Sequence, residues 1–298
     1  MSGKGFRSGF VGLIGRPSVG KSTLLNRLVG QKVAITSRRA QTTRNVLRGI
    51  LHRPEAQIVF VDTPGLHAPH HRLGQLMVKA AQEAAKDVDV LLLVIDVSKA
   101  LGPGDELAFE TAAGVEVPVV LVGNKLDLAK DGGEAILAQA QERGKFAAVC
   151  RVSAVSGQGL DGLVEQVLRL LPEGPPYYPP EMVTDQGERF QVAETVREKA
   201  LEVLREEVPH SLAVDVEFLR EEEGKDLRHI AASIYVEKES QKGIVIGRGG
   251  QMLKAIGSAA RYDLEKRLGQ QVHLELWVKV REDWRKSPRD LKEFGYEE

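Results

Sequence analysis

Residues 12–23 read "GLIGRPSVGKST", and within them Gly15-Arg16-Pro17-Ser18-Val19-Gly20-Lys21-Ser22 fits the pattern G-x-x-x-x-G-K-S/T. The pattern alone recurs by chance in glycine-rich turns. Here an apolar run precedes it and an amphipathic stretch follows, so a strand enters the loop and a helix leaves it. That context makes it a phosphate-binding loop. Its glycines let backbone N–H groups wrap an anion, and the helix N-terminus adds a favourable dipole. On this reading Gly15, Ser18, Val19, Gly20 and Thr23 line the phosphates. Lys21 reaches the β- and γ-phosphates, and the Ser22 hydroxyl ligates Mg²⁺.

The surrounding chain agrees. Apolar, β-branched runs at 8–14, 45–52, 57–62, 89–96, 117–123 and 147–152 alternate with helical patterns at 21–30, 73–86, 105–113, 133–144 and 160–171. Such alternation predicts an α/β domain with a mostly parallel six-stranded sheet covered on both faces. The runs 45–52 and 57–62 are too close for a crossover helix, so one of those strands should run antiparallel.

Three further motifs close predicted strands, where ligand sites gather on such sheets. Asp62-Thr63-Pro64-Gly65 ends "IVFVD"; its carboxylate can meet Mg²⁺ through water and the Gly65 N–H can sense a γ-phosphate. Asn124-Lys125-Leu126-Asp127 ends "VPVVLVG". Asp127 can accept from guanine N1–H and the 2-amino group at once, which adenine cannot offer, while Asn124 and the Lys125 stem shape the base pocket. Ser153-Ala154 ends the next strand, and the Ala154 N–H can reach guanine O6. The ligands expected are therefore GTP or GDP with Mg²⁺, not ATP. Thr42 and Thr43, in "SRRAQTTRN", can join the metal shell when the γ-phosphate is present, giving an order–disorder switch; Thr43 is the better candidate. Lys21, Thr43 and Gly65 are thus the residues expected to act on the γ-phosphate.

In Ras-like proteins a glutamine follows D-x-x-G and orients the attacking water. Leu66 stands at that position and can neither donate nor accept. His67, His70 and His71 lie close by, but three histidines also suit an exposed loop. Slow turnover without a partner or an ion is the expectation.

"PEGPPYYPP" (172–180) has five prolines in nine residues and continues neither element. It sets a boundary: a GTPase domain over 1–172, a stiff linker over 173–184 and a second domain over 185–298. That second domain reads helix (189–207), strand (212–220), strand (228–237), helix, loop, helix (250–268) and strand (272–281). "GIVIGRGGQMLKAIG" (243–257) holds Gly247-Arg248-Gly249-Gly250, a G-x-x-G turn ahead of a helix. It lacks the Lys-Ser/Thr of a second P-loop. The element order is that of a type II KH domain, whose loop clamps single-stranded nucleotides. Lys242, Gly243, Ile244, Ile246, Gly247, Arg248, Gly249, Gly250, Leu253 and Lys254 are the candidate RNA contacts. Charge supports this: residues 182–237 are acidic on balance, whereas 238–292 carry thirteen Lys/Arg against seven Asp/Glu. Trp277 and Trp284 could stack on bases, although packing is the commoner fate of tryptophan.

The net charge of −1 gives no global attraction to nucleic acid or membrane, so RNA binding must come from this local patch. A single cysteine, Cys150, forms no internal disulfide and suits a reducing interior. No lipidation motif or membrane-length apolar run is present, so peripheral contact at the inner face of the cell membrane is the most expected of a cytoplasmic monomer. A nucleoside-modifying enzyme would need a cofactor domain or a catalytic cysteine near the RNA face, and Cys150 precedes the base loop instead.

The succession of P-loop, TTR, DTPG, NKLD and SA, then a type II KH domain carrying "VHLELWVKVREDW", resembles the Era-type GTPases of bacteria over nearly the whole chain. The resemblance implies a factor in small (30S) ribosomal subunit biogenesis that binds the single-stranded 3′ end of 16S rRNA, with nucleotide state controlling access. A complete GTPase motif set joined by a proline-rich linker to an RNA clamp suggests a switch in which GTP orders 36–44 and 62–75, the domains rearrange about 172–184 and the RNA face opens. Leu66 fits, since this family carries an apolar residue there. Ser18 departs from the pattern: the family usually has asparagine, which in related potassium-activated GTPases helps hold K⁺. A serine hydroxyl is a poorer ligand, which leaves potassium stimulation open.

Overall fold

The computed structural model describes residues 5–37, 39, 41–69 and 71–296. Two compact units divide between Asp185 and Gln186, with His71–Leu73 grouped with the second. The first is built on β1 (Arg7–Ile14), β2 (Leu47–Arg53), β3 (Ala56–Asp62), β4 (Val90–Asp96), β5 (Val119–Asn124) and β6 (Ala148–Arg151), in the order β2-β3-β1-β4-β5-β6. Only β2 runs antiparallel, because two residues between it and β3 leave no room for a crossover. The other neighbours are parallel; α1 (Lys21–Val29) follows β1, α2 (Arg72–Lys86) follows β3, α3 (Pro103–Ala113) and α4 (Glu134–Gln141) join β4 to β5 and β5 to β6, and α5 (Leu160–Leu170) follows β6. Every residue of β3, β4 and β5 is buried, as a parallel sheet covered on both faces requires. The five parallel strands end on one rim, and β4 stands between β1 and β5.

The proline-rich segment is not a free linker. Prolines cannot donate to a ladder, so side chains of the first unit supply much of the bonding beside a few backbone pairs. Buried Gln57 accepts from the Tyr177 and Tyr178 amides at 2.7 and 3.0 Å and donates to the Tyr178 carbonyl at 2.7 Å. Farther on, the Ile50 amide donates to the Val183 carbonyl at 2.9 Å. The Thr184 hydroxyl donates to the Arg48 carbonyl at 2.7 Å, and the Arg48 guanidinium meets Asp185 at 2.8 Å. Residues 177–185 therefore strap the outer edge of β2, an edge that would otherwise expose unpaired backbone.

The second unit contains α6 (Glu188–Val203), β7 (Ala213–Glu221), β8 (Leu227–Val236), α7 (Glu239–Ile246), α8 (Gln251–Leu268), β9 (Gln271–Val280) and α9 (Pro288–Glu293). Its sheet is ordered β7-β8-β9, with β8 and β9 parallel. Val196, Ala200, Ile234, Val245, Ile256 and Val278 form the centre of its core. The alternation along β9 buries Val272 and Val278 and leaves Trp277 on the other face, 43% exposed. Trp284 is fully buried, its indole N–H donating to the Ser211 carbonyl at 2.8 Å. Packing is thus the fate of Trp284.

Candidate nucleotide site and nucleic-acid loop

The loop after β1 has the conformation only glycine allows. Gly15 lies at φ +153°, and a Cβ there would stand 2.3 Å from the Val94 carbonyl oxygen. Gly20 lies at φ +100° against the Asn124 amide. Ser18 also takes a left-handed conformation, φ +63°, which asparagine adopts more readily than serine. Lys21 is buried, and its ammonium donates to the Gly15 and Arg16 carbonyls at 3.0 and 3.3 Å. Burial lowers Lys21 to about 8, outweighing the attraction of Asp62. The charged form is the one that binds phosphate. As pH rises through 8 the free protein loses that proton, and binding must recover it. GDP affinity should therefore be roughly five- to tenfold weaker at pH 9 than at pH 7. Titration calorimetry of wild type and Lys21→Met checks this, because the variant should lose the dependence.

Ser22, Thr43 and Asp62 come together. The Ser22 hydroxyl donates to Asp62 Oδ2 at 2.6 Å and lies 2.7 Å from the Thr43 hydroxyl. Asp62 is fully buried, its Oδ1 has no hydrogen-bond partner among the described residues, and burial pushes its carboxyl up. A buried carboxylate oxygen left over beside two hydroxyls is what a hard divalent cation would satisfy, so these residues fit Mg²⁺. Thr42 is turned elsewhere, its hydroxyl donating to the Arg39 carbonyl at 2.8 Å. Gly20, Lys21, Ser22, Thr23, Thr43 and Gly65 line one cleft.

Gly65 packs against Pro17, where a Cβ would meet the proline at 2.7 Å. Leu66 is fully buried in the core, its amide donating to the Gly15 carbonyl at 3.1 Å. It points away from solvent, so it is a packing residue and not merely a glutamine replaced. Leu66→Gln is expected to destabilise the protein by about 2–3 kcal/mol through an unsatisfied buried amide. Turnover should not rise; urea unfolding and phosphate release measure both. His67 bridges two segments, Nδ1 lying 2.8 Å from the Gly65 carbonyl and Nε2 2.9 Å from the Gln41 amide. The carbonyl can only accept, so Nδ1 donates and Nε2 accepts. Both ring nitrogens are committed. His70 lies outside the described residues.

At the other end of the rim, Asn124 is buried, donating to the Val19 carbonyl at 2.8 Å and accepting from the Ala154 amide at 3.0 Å. It braces the phosphate loop against the Ser153-Ala154 loop. The Ala154 N–H expected to reach guanine O6 is thus engaged by Asn124, and a base would share it. The Ser153 hydroxyl donates to Asp127 Oδ1 at 2.5 Å and orients that carboxylate. Two acids escaped the sequence reading. Asp96 accepts from the Lys125 ammonium at 2.7 Å, and both Asp105 oxygens lie within 3.1 Å of Arg16 Nε. For Asp96 a signal existed: "LLLVID" closes an apolar strand on an acid, as "IVFVD" does.

In the second unit α7 ends at Ile246 and the G-x-x-G turn follows. Gly247 is glycine for the sake of the fold: at φ +72° its Cβ would strike Met252 at 2.7 Å. Gly249 and Gly250, also at positive φ, have nothing within 4 Å of a Cβ, so their bare backbone faces outward. Beside them Gly250, Leu253, Lys254, Arg261, Leu274 and Leu276 line a groove of about 360 Å³. Arg261 had no local motif to mark it. Ile244 is 47% exposed, whereas Ile246 and Leu253 also pack against the core. Lys242 lies 3.9 Å from Glu239.

Known proteins match this arrangement. A family model described as a 50S ribosome-binding GTPase matches residues 10–125, and a KH domain model matches 207–285. GTPase Era of Alkaliphilus oremlandii is 47% identical over 293 residues, covering 98% of this chain and 99% of its own. The crystal structure of Era with MgGDPNP and nucleotides 1506–1542 of 16S ribosomal RNA superposes with a TM-score of 0.94 at 40% identity, over 98% of this chain and 99% of that one. An Aquifex aeolicus Era variant bound to GDP·AlF₄⁻ gives the same TM-score, identity and coverage.

Proposed function

The chain belongs to the Era family of GTPases, and from that premise we propose a switch that clamps the 3′ end of 16S rRNA during 30S subunit biogenesis. Residues 1–172 would bind and hydrolyse GTP, and 185–298 would hold the single strand on Gly247–Gly250 and the groove beside it. The observation that carries the switch is the meeting of Thr43 with Ser22 and Asp62. Those three residues would hold Mg²⁺, which when bound neutralises charge on the β- and γ-phosphate oxygens. The segment carrying Thr43 then has a nucleotide-dependent anchor. Lys21 holds positive charge beside the phosphates, and the Gly65 N–H faces the γ-phosphate. Asp127 accepts from the guanine edge. With Leu66 buried, that position supplies no polar group to orient water, so hydrolysis is slow until a partner or an ion completes the site.

Ser18 bears on the ion. Its left-handed backbone matches what an asparagine would adopt, but its hydroxyl reaches less far. Potassium should stimulate the wild type little, and Ser18→Asn should raise the ratio of turnover in KCl to that in NaCl several-fold. No described helix is long and apolar enough to cross a membrane. A cytoplasmic monomer with at most peripheral membrane contact is the reading that accords with this.

The test is RNA affinity of the protein loaded with GDP or a non-hydrolysable GTP analogue, at fixed salt. The probe is a short strand copying the 3′ end of 16S rRNA. Tighter binding in one state is required by linkage, and equal binding in both would end the switch reading.

A further inference from the structure

We propose that Asp96 is a positioning residue for the guanine nucleotide, its buried carboxylate holding Lys125 in place beneath the base while reaching toward Arg16 of the phosphate loop. This rests on the reading of Lys125 and Asp127 as the base-binding residues. Topology gives the first reason. β4 is flanked by β1, whose end carries the phosphate loop, and by β5, whose end carries the base loop. Asp96 is the last residue of β4 and pairs in register with Asn124, so it lies between the two loops.

Contacts give the second reason. Asp96 Oδ2 accepts from the Lys125 ammonium at 2.7 Å and lies 3.7 Å from the Arg16 guanidinium. Its other oxygen, Oδ1, accepts from the Ser98 amide and hydroxyl at 3.0 and 2.5 Å. Asp105, itself fixed by the Gly102 amide at 2.9 Å, holds Arg16 from the other side. Both acids are at most 2% exposed. Burial alone would raise the Asp96 carboxyl; the hydrogen bonds from Lys125 and Ser98 outweigh it and hold it below the usual range. The pair also explains an unusual backbone. Lys125 sits at φ +67°, where a β-bearing side chain is strained, and its tethered ammonium helps keep it there. With the tether removed, the Lys125 stem is no longer fixed as the floor of the base pocket.

The test uses the full chain, with GDP affinity read from a fluorescent GDP derivative and steady-state turnover measured alongside. The variants are Asp96→Asn, Lys125→Met, the double variant and Lys125→Arg, each checked for folding by circular dichroism. Asp96→Asn is expected to weaken GDP about tenfold or more and to raise KM with kcat within about threefold. Lys125→Met should weaken it comparably, and adding Asp96→Asn to it should cost no more than about twofold further. Lys125→Arg, which keeps a cation for Asp96, should stay within about fivefold of wild type. Folded Asp96→Asn that binds GDP like wild type would overturn the proposal, as would multiplicative effects in the double variant. If Asp96→Asn does not fold, equal losses in Lys125→Arg and Lys125→Met overturn it by themselves. Failure of the base-binding reading looks different: Lys125→Met would then bind GDP like wild type.

Discussion

Asp127→Asn is expected to weaken GTP binding by two to three orders of magnitude while leaving the protein folded. The carboxylate would accept two hydrogen bonds from one guanine edge, and charge-assisted bonds contribute about 1.5–3 kcal/mol each. An asparagine keeps the shape, but its amide turns one acceptor into a donor and sets it against the guanine 2-amino group. The same change suits xanthine, which carries a carbonyl at that position. Xanthosine triphosphate should therefore bind the variant better than GTP does, reversing the wild-type order. The Ser153 hydroxyl donates to Asp127 Oδ1 at 2.5 Å, so the replacement oxygen should be held in the same place. Competition between the two nucleotides against a fluorescent analogue measures the reversal. Equal loss of both would place the discrimination elsewhere.

Gly249→Asp should weaken binding of the single-stranded 16S probe by at least tenfold without unfolding the second unit. Aspartate tolerates left-handed backbone better than most residues, and the Cβ meets nothing within 4 Å. The loss then comes from a negative charge where a phosphate must pack against bare backbone. Gly247→Ala makes the contrast. Its Cβ strikes Met252, so melting temperature should fall together with RNA affinity. Fluorescence anisotropy and thermal unfolding, run on both variants, separate a ligand-facing glycine from a structural one. Unchanged affinity in Gly249→Asp would remove the clamp from this loop.

Much of this was legible in the chain because the decisive features are local. A P-loop is eight consecutive residues between two periodic patterns, and each strand-end motif declares itself by an acid or amide after an apolar run. Strand and helix boundaries fell within a few residues for the same reason. What escaped is non-local or weakly periodic. α7 is expected from the element order alone and without bounds, because eight residues with Gly243 among them are too few for a 3.6-residue pattern to mark its ends. α9 is six residues behind a proline. For the metal shell the sequence ranks Thr43 over Thr42 by position alone, since one residue's shift is a question of turn geometry, and Thr43 is the one whose hydroxyl meets Ser22 in the fold. Arg16 with Asp105 joins residues 89 positions apart, which no spacing rule anticipates. The proline run misled in a different way. Composition correctly denied it a helix or a ladder, but could not reveal that Gln57 offers donor and acceptor where backbone pairing fails.

That strap changes the length of the tether. A free stretch of twelve residues would extend roughly 40 Å and let the second unit wander. With Asp185 held to Arg48 and α6 beginning at Glu188, only Gln186 and Gly187 intervene, a reach of about 7 Å. The chain free between the strap and α6 is thus two residues long, one of them glycine. The strand that carries the strap, β2, begins four residues after Thr43. The metal-facing threonine and the strand that moors the strap are therefore parts of one short stretch of chain.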